Sequence, residues 1–346
     1  MTLYTLDPML DNRWEDLVAS HPDASVFHQL GWLKALAVTY DYRPIVLTST
    51  PPEKQLYDGI VFCKIKSRIT GNRMVSVPFA DHTEPLLNST TDSCAITEWM
   101  QMECRQHNWK YIELRPLIWE VQPDCPLGVS QSFWSHTLNL TPSIEQLFHD
   151  LHKSCIQRRI RRAEHERLSY EKGCSEELLN DFYRLMMITR RRHQLLPQPR
   201  AWFQNLLECM SPNAKIWLAR KDGIPIAAIL TLRHRRTVVY KYGCSDERFH
   251  SLAGMPFLFW KLIEESKMTG AEQLDLGRTD LDNEGLIEFK DRFGTTRRRL
   301  TYLRYSESLR RRDVVKSYLP AMGPIFSILP DALSSRAGGL LYRHIG

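Results

Sequence analysis

Apolar and polar positions follow two periods along this chain, and the same order of periods occurs twice. Pro44-Ile45-Val46-Leu47 is an extended apolar run, and Asp58-Gly59-Ile60-Val61-Phe62-Cys63 resumes it after a turn. In the second half Lys215-Ile216-Trp217-Leu218-Ala219 is extended, Lys221-Asp222-Gly223 turns, and residues 224–232 return. Each pattern predicts strand–turn–strand, with Asp-Gly in the turn or at its end. A helix-to-strand unit follows in both halves. Residues 96–107 are amphipathic and lead to Tyr111-Ile112-Glu113-Leu114-Arg115; residues 257–268 are amphipathic, Gly270 stops them, and Gln273-Leu274-Asp275-Leu276-Gly277-Arg278 follows. Trp99 precedes Glu113 by nearly the distance at which Trp260 precedes Asp275. Four elements in one shared order point to an internal duplication. The expected class is α/β (α+β): two tandem domains with mixed central sheets flanked by helices.

Between the halves the pattern turns helical. Thr141-Pro142-Ser143 supplies a cap and an early proline, and Leu147, Phe148, Leu151 and Cys155 mark one apolar face of a helix that runs into an arginine cluster. A second helix, from Ser175, places Leu178, Leu179, Phe182, Leu185 and Met186 on one face and ends in Thr189-Arg190-Arg191-Arg192-His193. Leu196-Pro197-Gln198-Pro199 then forces extended chain. The expected domains are 1–140, 141–310 with this helical insert, and an apolar tail over 311–346. Prolines break the tail at Tyr318-Leu319-Pro320, Pro324-Ile325-Phe326 and Ile328-Leu329-Pro330, before Leu340-Leu341-Tyr342. It either docks back on a domain or touches the inner membrane surface, helped by nearby arginines.

Composition narrows the setting. Apolar residues are 43% and charged residues 25%, as in soluble globular proteins. There is no run of about 18 apolar residues to span a bilayer. Residues 1–13, with Asp7 and Asp11, do not read as a signal peptide. The eight cysteines form no C-x-x-C pair, which suits reduced thiols and a cytoplasmic location. Net charge is +6, but the arginines are clumped: Arg158-Arg159-Ile160-Arg161-Arg162, Arg190-Arg191-Arg192, Arg297-Arg298-Arg299 and Arg310-Arg311-Arg312. Guanidinium forks bind oxyanions bidentately, so four clusters together favour an anionic partner over plain solvated helix faces. His149-x-x-His152 lacks a third ligand, so no metal is expected. His234-Arg235-Arg236 lies between two extended runs and reads as a hairpin turn, so no DNA partner is expected.

Several blocks resemble a known family. They are Phe27-His28-Gln29-x-x-Trp32, Val75-Ser76-Val77-Pro78-Phe79, and the 189–193 run with Pro197-Gln198-Pro199. The most specific block is Asp275-Leu276-Gly277-Arg278-Thr279 followed by Asn283-Glu284-Gly285-Leu286 and Phe289-Lys290-x-x-Phe293-Gly294. Together they resemble the Fem-like branch of GNAT acyltransferases, over about residues 25–305. The resemblance implies a duplicated GNAT domain and acyl transfer to an amine, without a metal, a tightly bound cofactor or a covalent enzyme intermediate. The donor is then acyl-CoA or aminoacyl-tRNA. The acceptor is phosphorylated or lipid-linked, with tRNA and the inner membrane as further candidate partners. A pair of GNAT domains that only binds tRNA, a nucleotide-sugar or a lipid-linked glycan is the alternative.

Acyl transfer passes through a tetrahedral oxyanion, which needs a cation or backbone amides where the charge develops. The resemblance points to Lys290, with Phe289 as its anchor and its ammonium expected in solvent at a cleft. Arg278 lies just past a strand and suits a phosphate or carboxylate, or else a salt bridge. Asn283 and Glu284 share its loop and could orient an amine, or simply form a polar turn with Gly285. Tyr240 and Tyr242 share one face of a strand, and Tyr242 is the second catalytic candidate. Arg158 and Arg161, one turn apart, join Arg190 and His193 as candidate substrate-binding residues. Arg248-Phe249-His250-Ser251-Leu252-Ala253-Gly254 stands between a strand and a helix, where GNAT enzymes hold a CoA pyrophosphate on backbone amides. This makes Arg248, Ser251, Ala253 and Gly254 cofactor-binding candidates, although Ser251 replaces the usual first glycine.

Overall fold

The computed structural model describes residues 2–88, 93–119, 125–307 and 331–346, with the side chains of 331 and 332 excepted. The Arg310-Arg311-Arg312 cluster and the proline-broken run over 318–330 lie outside the described residues. The chain forms two compact units. The described parts of the first are 2–88, 93–119, 125–132, 300–307 and 339–346; those of the second are 133–299 and 331–338.

In the first unit β1 (Tyr4–Leu6) is followed by α1 (Arg13–Ser20) and α2 (Leu30–Tyr40), then β2 (Arg43–Thr48), β3 (Ile60–Ile65), β4 (Arg73–Val75), α3 (Ser93–His107) and β5 (Ile112–Leu114). The strands lie in chain order, antiparallel throughout except for the parallel pair β4·β5. Asp58, buried before β3, organises the β2–β3 loop by accepting from the Thr48, Ser49 and Thr50 hydroxyls. The core gathers Phe62, Met74, Ile96, Trp99 and Ile112.

The second unit repeats this order. After β7 (Ser169–Gly173) come α6 (Glu176–Arg192) and α7 (Arg200–Cys209), then β8 (Ala214–Lys221), β9 (Ile224–His234), β10 (Thr237–Ser245), α8 (Gly254–Met268) and β11 (Gln273–Asp280). Again every neighbouring pair is antiparallel except the fourth and fifth strands, β10·β11, which are parallel. The expected duplication is therefore met element by element. The β8–β9 hairpin turns on Asp222 and Gly223, with φ +49° and +80°. Two successive positive φ values match the strand twist, and Asp-Gly supplies them at little strain.

The sixth strand of each unit comes from elsewhere in the chain. β6 (Gly128–Asn139) follows β5 in sequence, but its Phe133 to Asn139 part pairs antiparallel with β11. β12 (Thr296–Tyr305) follows β11, but its Leu303 to Tyr305 part pairs antiparallel with β5. The units therefore divide inside these two strands, at 132/133 and 299/300, and not at 140/141.

One expected helix is in fact two. α4 (Ile144–Asp150) is capped by Ser143, whose Oγ accepts from the Gln146 amide at 3.2 Å, as the sequence predicts. It stops at Leu151, a π-turn spans Lys153–Gln157, and only then does α5 (Arg158–His165) begin. On α5 the core-facing residues are Ile160 and Ala163, and the arginines between them are exposed. α9 (Glu284–Asp291) and α10 (Asp331–Ile345) complete the described helices. No described helix is long and apolar enough to cross a membrane.

Candidate active site

A cavity of about 600 Å³ opens in the second unit. Its floor is the far end of β10. Val239 with Asp275 is the last parallel pair of β10 with β11, and cavity-lining residues begin at Tyr240. Here β10 also slips against β9, because Tyr240 pairs with Thr231 while Tyr242 pairs with Leu230. Lys241 is the extra residue of this bulge, a device that re-aims a strand at its end. Gly243 is required by close approach: a β-carbon there would lie 2.0 Å from the Tyr240 hydroxyl.

The rim is basic on one side. Arg190 and Arg192 from the end of α6, His193 just after it, Arg159 from α5 and His250 from the turn before α8 all line the cavity. Thr189 fixes the end of α6, because its hydroxyl donates to the Ser245 carbonyl at 3.1 Å and accepts from the Ser245 amide at 2.9 Å. The His250 Nε2 lies 3.0 Å from Ser245 Oγ and 3.2 Å from Arg192 Nη1. A ring nitrogen that accepts from a guanidinium carries no proton. Partial desolvation, then the Arg192 charge, hold His250 below the usual histidine range. Desolvation and then Arg192 and Arg190 do the same at His193. Both imidazoles are thus neutral near pH 7 and able to take a proton.

The remaining walls are the start of α8 and one face of α9. Ala253, in the left-handed region at φ +62°, precedes Gly254 and Met255. Gly254 is spent on packing, since a β-carbon there would meet Ala227 Cβ at 3.0 Å and Ile226 Cδ1 at 3.1 Å. Pro256 has no amide proton, so the first turn offers one donor fewer to an anion. α9 contributes Leu286 and Phe289.

Of the residues singled out from sequence, Arg190, His193, Tyr242, Ala253 and Gly254 line this cavity. Tyr242 also accepts at its hydroxyl from Trp202 Nε1 at 2.9 Å. The others are placed differently. Arg158 and Arg161 are exposed and outside the lining, where α5 presents Arg159 instead; Arg161 lies over the Phe148 ring at 5.6 Å. Arg248 is paired with Asp246 at 2.6 Å, and Ser251 is exposed. Arg278 stacks on Phe133 at 4.4 Å, and Asn283 caps α9 by accepting from the Leu286 amide at 3.1 Å.

Lys290 corrects the expectation of a solvated tip. It is 3% exposed, and its Nζ donates to the Gly277 and Arg278 carbonyls at 3.0 and 3.1 Å. Beside it His136 is fully buried, with Nδ1 3.5 Å from an Asp291 oxygen; burial, then the Lys290 charge, push His136 down to about 4. Sequence reasoning missed Ser245; Arg159, Thr189, Arg192 and His250 stood inside an arginine cluster or a family-like block without being singled out as site residues. The alternation of arginine with Ile160 and Ala163 shows which side of α5 is buried, but not which exposed arginine meets a cavity.

Residues 152–291 match the acetyltransferase (GNAT) domain family. The match lies within the second unit, and the chain as a whole shares its fold with tandem GNAT structures. A solved structure of FemX is 13% identical, covering 88% of this chain and 97% of that one at a TM-score of 0.67. The C-terminal domain of a putative lysylphosphatidylglycerol synthetase from Agrobacterium fabrum is 14% identical, covering 90% and 95% at 0.58. A tandem GNAT protein from the clavulanic acid biosynthesis pathway is 10% identical, covering 90% and 100% at 0.55. No curated protein matches the sequence. Among the described residues no group of three or more His, Cys, Asp or Glu is placed to hold a metal ion.

Proposed function

We propose that this enzyme transfers an acyl or aminoacyl group to an amine on a phosphorylated precursor of the cell envelope or of an exopolysaccharide. The observation that carries the reading is the second-unit cavity, where three arginines and two neutral histidines stand around the bulged end of β10. Guanidiniums suit a diphosphate, which is carried by coenzyme A and equally by nucleotide-linked and lipid-linked acceptors. The missing amide at Pro256 and the packed Gly254 shift phosphate binding from backbone to side chains. FemX and the lysylphosphatidylglycerol synthetase domain, as fold neighbours, support an aminoacyl donor or a lipid-linked acceptor as members of the same substrate range.

The chemistry divides among residues of this chain. His193 or His250 takes the proton that the attacking amine must lose. Arg159, Arg190 and Arg192 hold the phosphates, so that donor and amine meet in line.

Calorimetric titration with coenzyme A, a nucleotide-sugar and total tRNA across a salt series tests this reading. The expected result is binding of a diphosphate ligand with a shallow salt slope, weakened in Arg190→Ala and Arg192→Ala. Tight tRNA binding with a steep slope, and none for either diphosphate, overturns the substrate class. Coenzyme A binding without nucleotide-sugar binding assigns the arginines to the donor. Binding with no product detectable by mass spectrometry, over a panel of amines, overturns transfer.

A further inference from the structure

We propose that Lys290 is a positioning residue: it sets the rotation of α9, and through it the size of acyl group that the cavity accepts. The inference rests on the reading that the cavity holds the acyl donor. α9 has eight residues, only two of which, Ile287 and Lys290, are buried. Helices this short are marginal without tertiary anchoring, and buried Ile287 with half-buried Phe289 supplies only the apolar part of it here. The other part of the anchor is polar. The Lys290 ammonium reaches back to two carbonyls of β11, those of Gly277 and Arg278.

Those carbonyls sit on a kinked segment. Gly277 has φ +73°, its amide donates to Asp275 Oδ1 at 2.7 Å, and β11 slips register against β6 between Asp275 and Arg278. Asp275, Gly277 and Lys290 thus form one knot that ties helix to strand. A buried ammonium is stabilised only where its protons are satisfied, so the knot tolerates one orientation of α9.

The consequence falls on the cavity. Phe289, one residue before Lys290, and Leu286, one turn before, are the α9 residues that line it. Phe289 packs on Phe259 and Phe293 at ring distances of 5.7 and 5.3 Å. Successive helical residues are about 100° apart, so a slip of one position would swap an apolar wall for an ammonium. Lys290 holds the apolar wall in place without touching the cavity itself.

The test compares Lys290→Met, Lys290→Arg and Phe289→Ala in the full chain, by crystal structure and by kcat/KM for acetyl-CoA and octanoyl-CoA. Lys290→Met keeps the side-chain length but donates nothing. Its structure should show α9 turned or Phe289 displaced. The octanoyl-to-acetyl ratio should rise about tenfold, the scale of a remodelled apolar pocket. Phe289→Ala should reproduce that rise, and Lys290→Arg should restore the wild-type ratio in part. A purely structural lysine would lower the melting temperature and leave the ratio alone. If Lys290→Met does not fold, Lys290→Arg and Phe289→Ala decide: an unchanged ratio in both overturns the proposal. An unmoved α9 with lower kcat and constant selectivity also overturns it, in favour of direct catalysis. If the wild-type chain uses neither acyl-CoA, the donor reading fails, and the position of α9 in the Lys290→Met structure settles the positioning role by itself.

Discussion

At Gly243 the cavity floor has no room for a methyl group, because the Tyr240 hydroxyl occupies the place of a β-carbon. Gly243→Ala should therefore push Tyr240 into the cavity and weaken binding of coenzyme A by about tenfold or more, with a small change in melting temperature; calorimetry beside thermal melts checks it. The arginines act by charge. Arg190→Ala or Arg192→Ala removes a charge-assisted contact of about 1.5–3 kcal/mol, an order of magnitude or more in affinity. The histidines add a pH dependence of definite sign. His193 and His250 have folded-state values below the ordinary one, so both are neutral at pH 7 and gain charge as pH falls below the usual histidine range. Affinity for a nucleotide-sugar, whose diphosphate diester keeps its charge over this interval, should rise from pH 7.5 to 5.5. The rise should vanish in the His193→Gln/His250→Gln double variant, and its persistence there would assign it to other groups.

Among elements, α6 joins a cap at one end to the basic rim at the other. Ser175 Oγ accepts from the Leu178 amide at 3.3 Å, and Glu176 and Glu177 complement the helix dipole in the first turn. Ser175→Ala should cost about 1 kcal/mol of stability, read by denaturant titration. Anion affinity should be unchanged, because Thr189 separately ties the far end to β10. The cap residues, the apolar face of α6, the Asp-Gly hairpin and the α8–β11 unit were all legible in the sequence, since each rests on neighbours within a turn or a strand. The break at Leu151 was not. The apolar face continues through Cys155, and what ends α4 there is tertiary: the His152 amide donates to the Arg292 carbonyl at 2.9 Å, far along the chain.

For the whole molecule, stability should fall with acid. His136 and His234 are pushed down to about 4, in each case by burial first. Their values in the unfolded chain are near 6.5, so the unfolded state takes up protons that the folded state refuses as pH drops from about 6.5 to 4. The melting temperature should be flat above that interval, fall through it, and fall less in His136→Gln; an equal acid slope in the variant would remove His136 from the account. The duplicated order of elements was determined by the sequence alone, because hydrophobic period, turn residues and caps act locally and recur in both halves. The residue types of the site were legible too, as clumped arginines and a glycine-bearing turn before a helix. Tertiary structure decided the rest. It paired β6 with β11 and β12 with β5, not with the strands they follow in the chain, since strand pairing is chosen by burial and register and not by proximity in sequence. It turned Arg159 instead of Arg158 to the cavity. It also buried Lys290, because the kink at Gly277 presents two carbonyls that its ammonium reaches.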